Sequence, residues 1–283
     1  MTRALTTKRA APRVLSLVCL LAGAVLSVAA KAPAAEPHSF IVLREYGVGA
    51  ASRAQPYLDE LLRVVAEQNH WAKATGKYFS ERSSALAFVR EEKPDFGILS
   101  LPAYLALKET LSPSVIGEVL APQAGGRRYF LVSKQARALE GCVGHRLATT
   151  FAPDAKFVDR VVAGGAFKLA DFTLVSAQRP LEPLKQVIRE EADCALIDDA
   201  QLAATGHIEH GSELHSAWRS AELPGMAVVA FPRAEAAAVK SLKQSLPSLC
   251  AKAKQACQSV GIDLIQASSD ERYRALLAQY SKP

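Results

Sequence analysis

The sequence predicts an α/β protein of two similar lobes, each a mostly parallel sheet flanked by helices, joined by two crossing strands. Three observations carry this reading. Strand-like and helix-like segments alternate along most of the chain, the pattern of helices layered on a mainly parallel sheet. A helix–turn–strand unit near residue 90 is echoed near residue 190. Setting aside the first 35 of the 283 residues leaves 248, enough for two lobes of about 100–150 residues each.

The elements follow in order. Residues 40–47 (FIVLREYG) are a short apolar run stopped by glycine, hence a strand. Residues 52–69 set Tyr57, Leu58, Leu61, Leu62, Val64 and Val65 at helical spacing. Ser52 can cap that helix, and Pro56 is tolerated only near its first turn. Residues 76–79 read as a second strand. Ser83 and Ser84 open a helix that Pro94 ends; 95–101 is a third strand, and a helix follows over 102–110. The order then recurs, with strands at 144–151, 172–176 and 194–197 and helices at 154–163 and 179–191. Between the two runs, 127–133 (RRYFLVS) follows Gly125 and Gly126 and reads as an extended crossing. A second crossing, 226–231 (MAVVAF), follows Pro224 and Gly225. Helices at 234–246 and about 270–280 close the chain, the last opening on acids as the helix dipole favours. Two crossings divide the chain into a discontinuous lobe 1 (36–130 and 226–283) and a lobe 2 (131–225).

The echo is specific in its parts. FVREEKPDFGILS (88–100) aligns with VIREEADCALID (187–198) once a single residue is gapped. In each, a helix ends in Arg-Glu-Glu, a tight turn follows, and Asp introduces an apolar strand that ends in Ser100 or Asp198.

Residues 1–35 read as a cleavable secretory signal. Arg3, Lys8, Arg9 and Arg13 precede an uncharged run over 14–30, and small residues follow, with cleavage near Ala34 or Ala35. An uncleaved anchor is the alternative, though a membrane span needs about 20 apolar residues. Cys19 follows bulky Leu17 and Val18, which argues against a lipoprotein. The whole-chain pI of 9.1 belongs mostly to this segment. Removing its five basic residues from the 34 leaves 29 against 28 acidic ones. Nucleic-acid binding is therefore not expected, since no concentrated basic face remains. Cys142, Cys194, Cys250 and Cys257 also remain, an even number compatible with two disulfides in an oxidising compartment. The expected pairing is Cys142–Cys194 and Cys250–Cys257, with buried free thiols as the alternative.

Catalytic signatures are missing: there is no GxSxG, HExxH, GxxxxGK[ST] or GxGxxG. Gly125-Gly126 and Gly164-Gly165 read as turns. Cys142 lies three residues from His145, which is no triad spacing, and in an oxidising compartment a disulfide or buried role is expected of it rather than a nucleophile–base pair. His207, His210 and His215 beside Asp198 and Asp199 have metal-like composition but lie in a Gly/Ser loop without ligand spacing. No metal or cofactor is expected.

Polar residues do gather after the predicted strands, where ligands bind in open α/β sheets. Arg44, Glu45 and Tyr46 close the first strand. Ser80, Arg82 and Ser83 follow the second, and Ser100 and Tyr104 the third. Thr149, Thr150 and Asp198 come from the second lobe. Arg82 beside helix-opening N–H groups would suit an anion or carboxylate.

In the order of these segments the chain resembles the extracytoplasmic substrate-binding proteins of type II, within the transferrin-like superfamily. More narrowly it resembles phosphonate/phosphate-type binding components. PDFGILSLPAYLALKE is similar to their Asp-led strand, polar turn and Ala-Tyr helix; REEADCALIDDAQL to the matching second-lobe segment; and GIDLIQASSDERYRALL to their closing segment. The resemblance covers most of residues 40–283. It implies a monomeric periplasmic protein of the type II binding fold that captures a small anionic solute by hinge closure and passes it to an ABC-type transporter permease. It also implies no chemistry by this chain. Carried over residue by residue, it places Tyr46, Ser80, Ser100, Tyr104 and Asp198 at cleft positions. One stretch departs: ATTFAPDAKF offers Thr149 and Thr150 but no glycine where phosphonate binders often carry a Ser/Thr-rich, Gly-containing turn. That weakens phosphonate as the ligand. The rival readings are a sensor module for a membrane signalling partner and an exported enzyme with an unrecognised site.

Overall fold

A computed structural model describes residues 36–46, 51–121, 125–259 and 262–282. The export-type segment and the glycine end of the first predicted strand lie outside them. In chain order the strands are β1 (Pro37–Leu43), β2 (Lys73–Phe79), β3 (Phe96–Leu99), β4 (Ser114–Leu120), β5 (Tyr129–Ser133), β6 (Arg146–Thr149), β7 (Thr173–Ser176), β8 (Cys194–Asp198), β9 (His215–Arg219), β10 (Met226–Ala230) and β11 (Leu264–Ala267). The helices are α1 (Ala51–Asn69), α2 (Arg82–Glu92), α3 (Leu101–Leu111), α4 (Ala155–Phe157), α5 (Glu182–Ile188), α6 (Asp199–Ala204), α7 (Ala236–Lys252), α8 (Lys254–Ser259) and α9 (Arg274–Ser281).

The strands form two mixed sheets, ordered β11-β4-β10-β3-β1-β2 and β7-β6-β8-β5-β9. In the first, β3, β1 and β2 are parallel, while β10, β4 and β11 join by antiparallel pairing. In the second, β7, β6 and β8 are parallel, and β5 and β9 antiparallel. The two-lobed α/β architecture is as the sequence predicts, but half or more of the pairing is antiparallel. The reason lies in the two crossings, which do not merely connect: they enter as β5 and β10, each paired directly to the central strand of the sheet it reaches. Those central strands are β3 and β8, the two strands of the sequence echo. Both are buried along their whole length, which is why each is a continuous apolar run.

Side chains on the first sheet alternate with the two-residue strand period. Phe40, Val42, Phe96 and Ile98 pack under α1 and α7 with Leu58, Leu61, Leu62, Leu242 and Leu246. Ile41, Leu43 and Leu99 face the other way, into a cluster that runs on through Tyr129, Leu131, Leu147 and Phe151 of the second sheet's lobe. The apolar core is therefore continuous from one sheet's layer to the other's. On the far face of the second sheet, Val132, Ala148, Ala195 and Ile197 pack with Leu184 and Val187 of α5.

Several local expectations change. Ser52 lies inside α1 rather than capping it, and Tyr57 is 40% exposed. Glu81, not a serine, precedes α2, so Ser83 sits in its first turn. The helix expected at 154–163 is a 3-10 turn, the short α4 and a π turn over Val158–Val162. Strands β4 and β9 were not legible: Gly117 and buried Glu118 interrupt the first, and β9 is a short polar edge strand. Both expected disulfides are present, Cys142–Cys194 and Cys250–Cys257, with Cα separations of 5.9 and 5.6 Å. Among the described residues no helix is long and apolar enough to cross a membrane.

Candidate functional site

The carboxyl ends of β1, β3 and β8 converge on a cavity of about 400 Å³, open mouth included. Arg44, Glu45 and Tyr46 reach it from the turn after β1, and Ser100 from the junction of β3 and α3. Tyr129, Phe151 and Asp198 line it from the second sheet, and Gly125, Gly126, Gly225 and Met226 from the crossing segments. The crossing segments run side by side. Leu223 N donates to Arg127 O (2.8 Å), Ser220 N to Tyr129 O (2.9 Å), and Arg127 and Arg128 both pair with Glu222. Gly225 is anchored to the first sheet: its N–H donates to buried Glu118 at 2.7 Å, and its carbonyl accepts from Tyr273 Oη at 3.2 Å. Gly125 has φ +81°, and a Cβ there would lie 2.1 Å from Asp198 Oδ2. Only glycine lets the crossing backbone approach that carboxyl so closely.

Each polar group in the cavity has a distinct state. Asp198 is buried and caps α6: its carboxylate accepts from Gln201 N (2.9 Å), while Gln201 Oε1 accepts from Asp198 N (2.8 Å). Burial pushes its carboxyl up to about 7, against the cap's hydrogen bond and with Asp199's charge adding to the rise; nearby Arg44 partly offsets it. Tyr46 holds a left-handed backbone, φ 61°, and packs edge-on to Phe151 at 4.8 Å, which joins the two lobes across the cavity wall. Burial raises the phenols of Tyr46 and Tyr129, so both act as neutral hydroxyls. Ser100 is only 7% exposed, and among the described residues its Oγ has no hydrogen-bond partner. Its N–H and carbonyl are used, by Leu43 O and Tyr104 N. A buried hydroxyl left unpaired costs about 1–3 kcal/mol, and its residue is one of those lining the cavity.

Arg82 has a different employment from the one its sequence position suggests. Its guanidinium holds Glu45 through Nε (2.9 Å) and Nη2 (2.8 Å) and Asp154 through Nη2 (2.6 Å). Both carboxylates are 7% exposed. Glu45 follows β1 and Asp154 follows β6, so Arg82 bridges the two sheets' lobes. Burial raises the Glu45 carboxyl, and the Arg82 hydrogen bond and charge oppose that rise. A second bridge lies beyond it: Arg160 donates to the Tyr280 carbonyl at 3.0 Å, and the Lys156 ammonium sits 4.3 Å over the Tyr280 ring.

Of the sequence-predicted positions, the structure gathers Arg44, Tyr46, Ser100 and Asp198 at the cavity. It does not bring the others there. Ser80 and Ser83 are exposed on the surface beside α2. Tyr104 is a buried residue of α3; its hydroxyl donates to Asp270 at 2.9 Å and its ring packs edge-on against Tyr273. Thr149 donates to Leu196 O (2.9 Å) and accepts from Phe151 N, a turn-locking role. Thr150 is buried with its hydroxyl unpartnered among the described residues, though it does not line the cavity. Tyr129, Phe151 and Met226 were missed. The Gly-Gly and Pro-Gly pairs that introduce the crossings were the available signal.

Two lobes, each with a mixed sheet, twin crossings and a cavity at the strand ends define the type II periplasmic-binding-protein fold, and this chain has it. No family model matches the sequence, and no curated protein does. Solved structures match in shape. A binding protein component of an ABC phosphonate transporter from Pseudomonas aeruginosa is 13% identical, with TM-score 0.62 over 86% of this chain and 84% of that one. A Xanthomonas citri protein bound to ATP is 13% identical, with TM-score 0.66 over 87% and 97%. PhnD1 from Prochlorococcus marinus, in complex with methylphosphonate, is 11% identical, with TM-score 0.63 over 85% and 96%.

Proposed function

We propose that this chain is a periplasmic solute-binding protein that captures a small anionic solute between its lobes and delivers it to an ABC-type transporter. Arg44, Tyr46, Ser100 and Asp198 are the contact residues in this reading, and Arg82 holds the lobes together rather than the solute. The observation that carries it is the buried hydroxyl of Ser100, without a hydrogen-bond partner among the described residues, on a residue that lines a cavity walled by both lobes. A solute oxygen accepting from that hydroxyl would satisfy it, and Arg44 supplies a cation on the same wall. The shape matches support the reading, because they include a transporter binding component and a methylphosphonate complex. Asp198 sets a condition: an anion is best received when this carboxyl carries its proton and donates.

Native mass spectrometry of gently purified mature protein, followed by a thermal-shift panel of small phosphonates, phosphate, carboxylates and sulfonates, tests the proposal. At least one anion is expected to raise the melting temperature, and Ser100→Ala to lower that solute's affinity about five- to tenfold. A panel in which no solute stabilises the protein contradicts it.

A further inference from the structure

The outermost strands of a sheet carry backbone groups with no neighbouring strand to pair with. The first sheet ends on β2 and β11, the second on β7 and β9. Of these β2 is the longest, at seven residues against four, four and five. Its inner edge is fully used, because Lys73–Phe79 pairs with Pro37–Leu43 in continuous parallel register. Phe79 O closes that register by accepting from Arg44 N at 3.0 Å. By the two-residue alternation, the backbone groups of Lys73, Thr75, Lys77 and Phe79 then turn toward β1, and those of Ala74, Gly76 and Tyr78 turn outward.

One side chain of α1 covers part of that outer edge. Gln55 Nε2 donates to Gly76 O at 2.9 Å, and Gln55 Oε1 accepts from Tyr78 N at 3.1 Å. A primary amide making this pair of bonds stands where the peptide group of a neighbouring strand would stand. Asp59 fixes which way the amide points, since its carboxylate, an acceptor, takes the same Nε2 at 2.7 Å. Gly76 lets α1 lie this close: a Cβ there would sit 2.6 Å from Leu62 Cδ1. The rest of the edge, from Lys73 to Gly76, borders a groove whose other wall holds Asp59, Arg63 and Glu67 of α1.

We infer, independently of the solute-binding reading, that the outer edge of β2 is a pairing surface for a second copy of this chain and that Gln55 keeps it shut. The strand suits itself as a partner. In an antiparallel pairing centred on Gly76, Ala74 meets Tyr78 of the other copy, Lys73 meets Phe79 and Thr75 meets Lys77, so no like charges stand opposite. Every outward N–H and C=O of Ala74, Gly76 and Tyr78 is then satisfied. Gln55 occupies the place where that strand would enter.

Analytical ultracentrifugation of the mature protein over a concentration series tests this, with hydrogen exchange of the Tyr78 amide alongside. Gln55 is half-buried and alanine is the best helix former, so Gln55→Ala keeps α1. The wild type is expected to sediment as one chain at every concentration and to protect the Tyr78 amide. Gln55→Ala is expected to lose that protection when dilute and to climb toward twice the mass as concentration rises. Adding Ala74→Pro removes an outward N–H that β1 does not use, and is expected to return the mass to that of one chain. A wild type that already dimerises, a Gln55→Ala variant that stays a monomer, or a dimer that persists with Ala74→Pro overturns the inference.

Discussion

Asp198 is the residue whose chemistry most shapes the site. Its carboxyl is buried, committed to capping α6, and raised to about 7 from an ordinary 3.8. The folded protein therefore holds a proton there that the unfolded chain gives up near pH 4. The stabilisation is fully present below the unfolded value and is lost as pH rises through about 7. Between pH 5 and pH 8 this one group is expected to cost stability on the order of 3 kcal/mol. Asp198→Asn keeps the cap, since asparagine is an equally good N-cap, and should flatten that part of the profile. Urea denaturation at the two pH values measures it; equal slopes in wild type and variant would contradict the assignment. This residue was legible in the sequence because it ends an apolar strand, as were Arg44, Tyr46 and Ser100. Tyr104 was not, because α3 is buried on nearly all sides and no apolar stripe tells which way its tyrosine points. Arg82 was visible as a cation near the strand ends, but its carboxylate partner Asp154 lies 72 residues away.

At the scale of elements, the echo between β3 and β8 was readable because both are fully buried central strands, and burial on two faces leaves an uninterrupted apolar signature. The crossings were readable as extended chain but not as sheet members. A strand's partner is set by tertiary contact, and nothing local in RRYFLVS or MAVVAF names β8 or β3. Edge strand β9 was hidden by its polar sequence, as edge strands often are. The disulfides tie these elements unequally. Cys142–Cys194 joins the turn before β6 to the start of β8 and closes 52 residues, whereas Cys250–Cys257 joins α7 to α8 and closes only 7. Loop-closure entropy makes the first worth about 4 kcal/mol and the second about 2 kcal/mol. Denaturation of the two double Cys→Ala variants should show that order, and equal losses would contradict the entropic account.

For the whole molecule, what matters is that two lobes meet over a cavity while sharing apolar core and ion pairs. Arg82 neutralises Glu45 from lobe 1 and Asp154 from lobe 2 at once. Without it, two buried carboxylates would face each other across the seam. Truncating one partner of such a group costs about 3 kcal/mol or more, and opening the lobes would return both carboxylates to water. A solute spanning the cavity would restore the closed state by binding it preferentially. Small-angle X-ray scattering of mature Arg82→Ala, without and then with the solute that most stabilises the wild type, tests this closure most directly. The wild type should show a radius of gyration near the roughly 18 Å of a compact chain of 248 residues. The variant is predicted to be measurably larger alone and to return to the wild-type value with solute. A variant whose radius matches the wild type in both conditions, or stays expanded at saturating solute, would contradict capture by lobe closure.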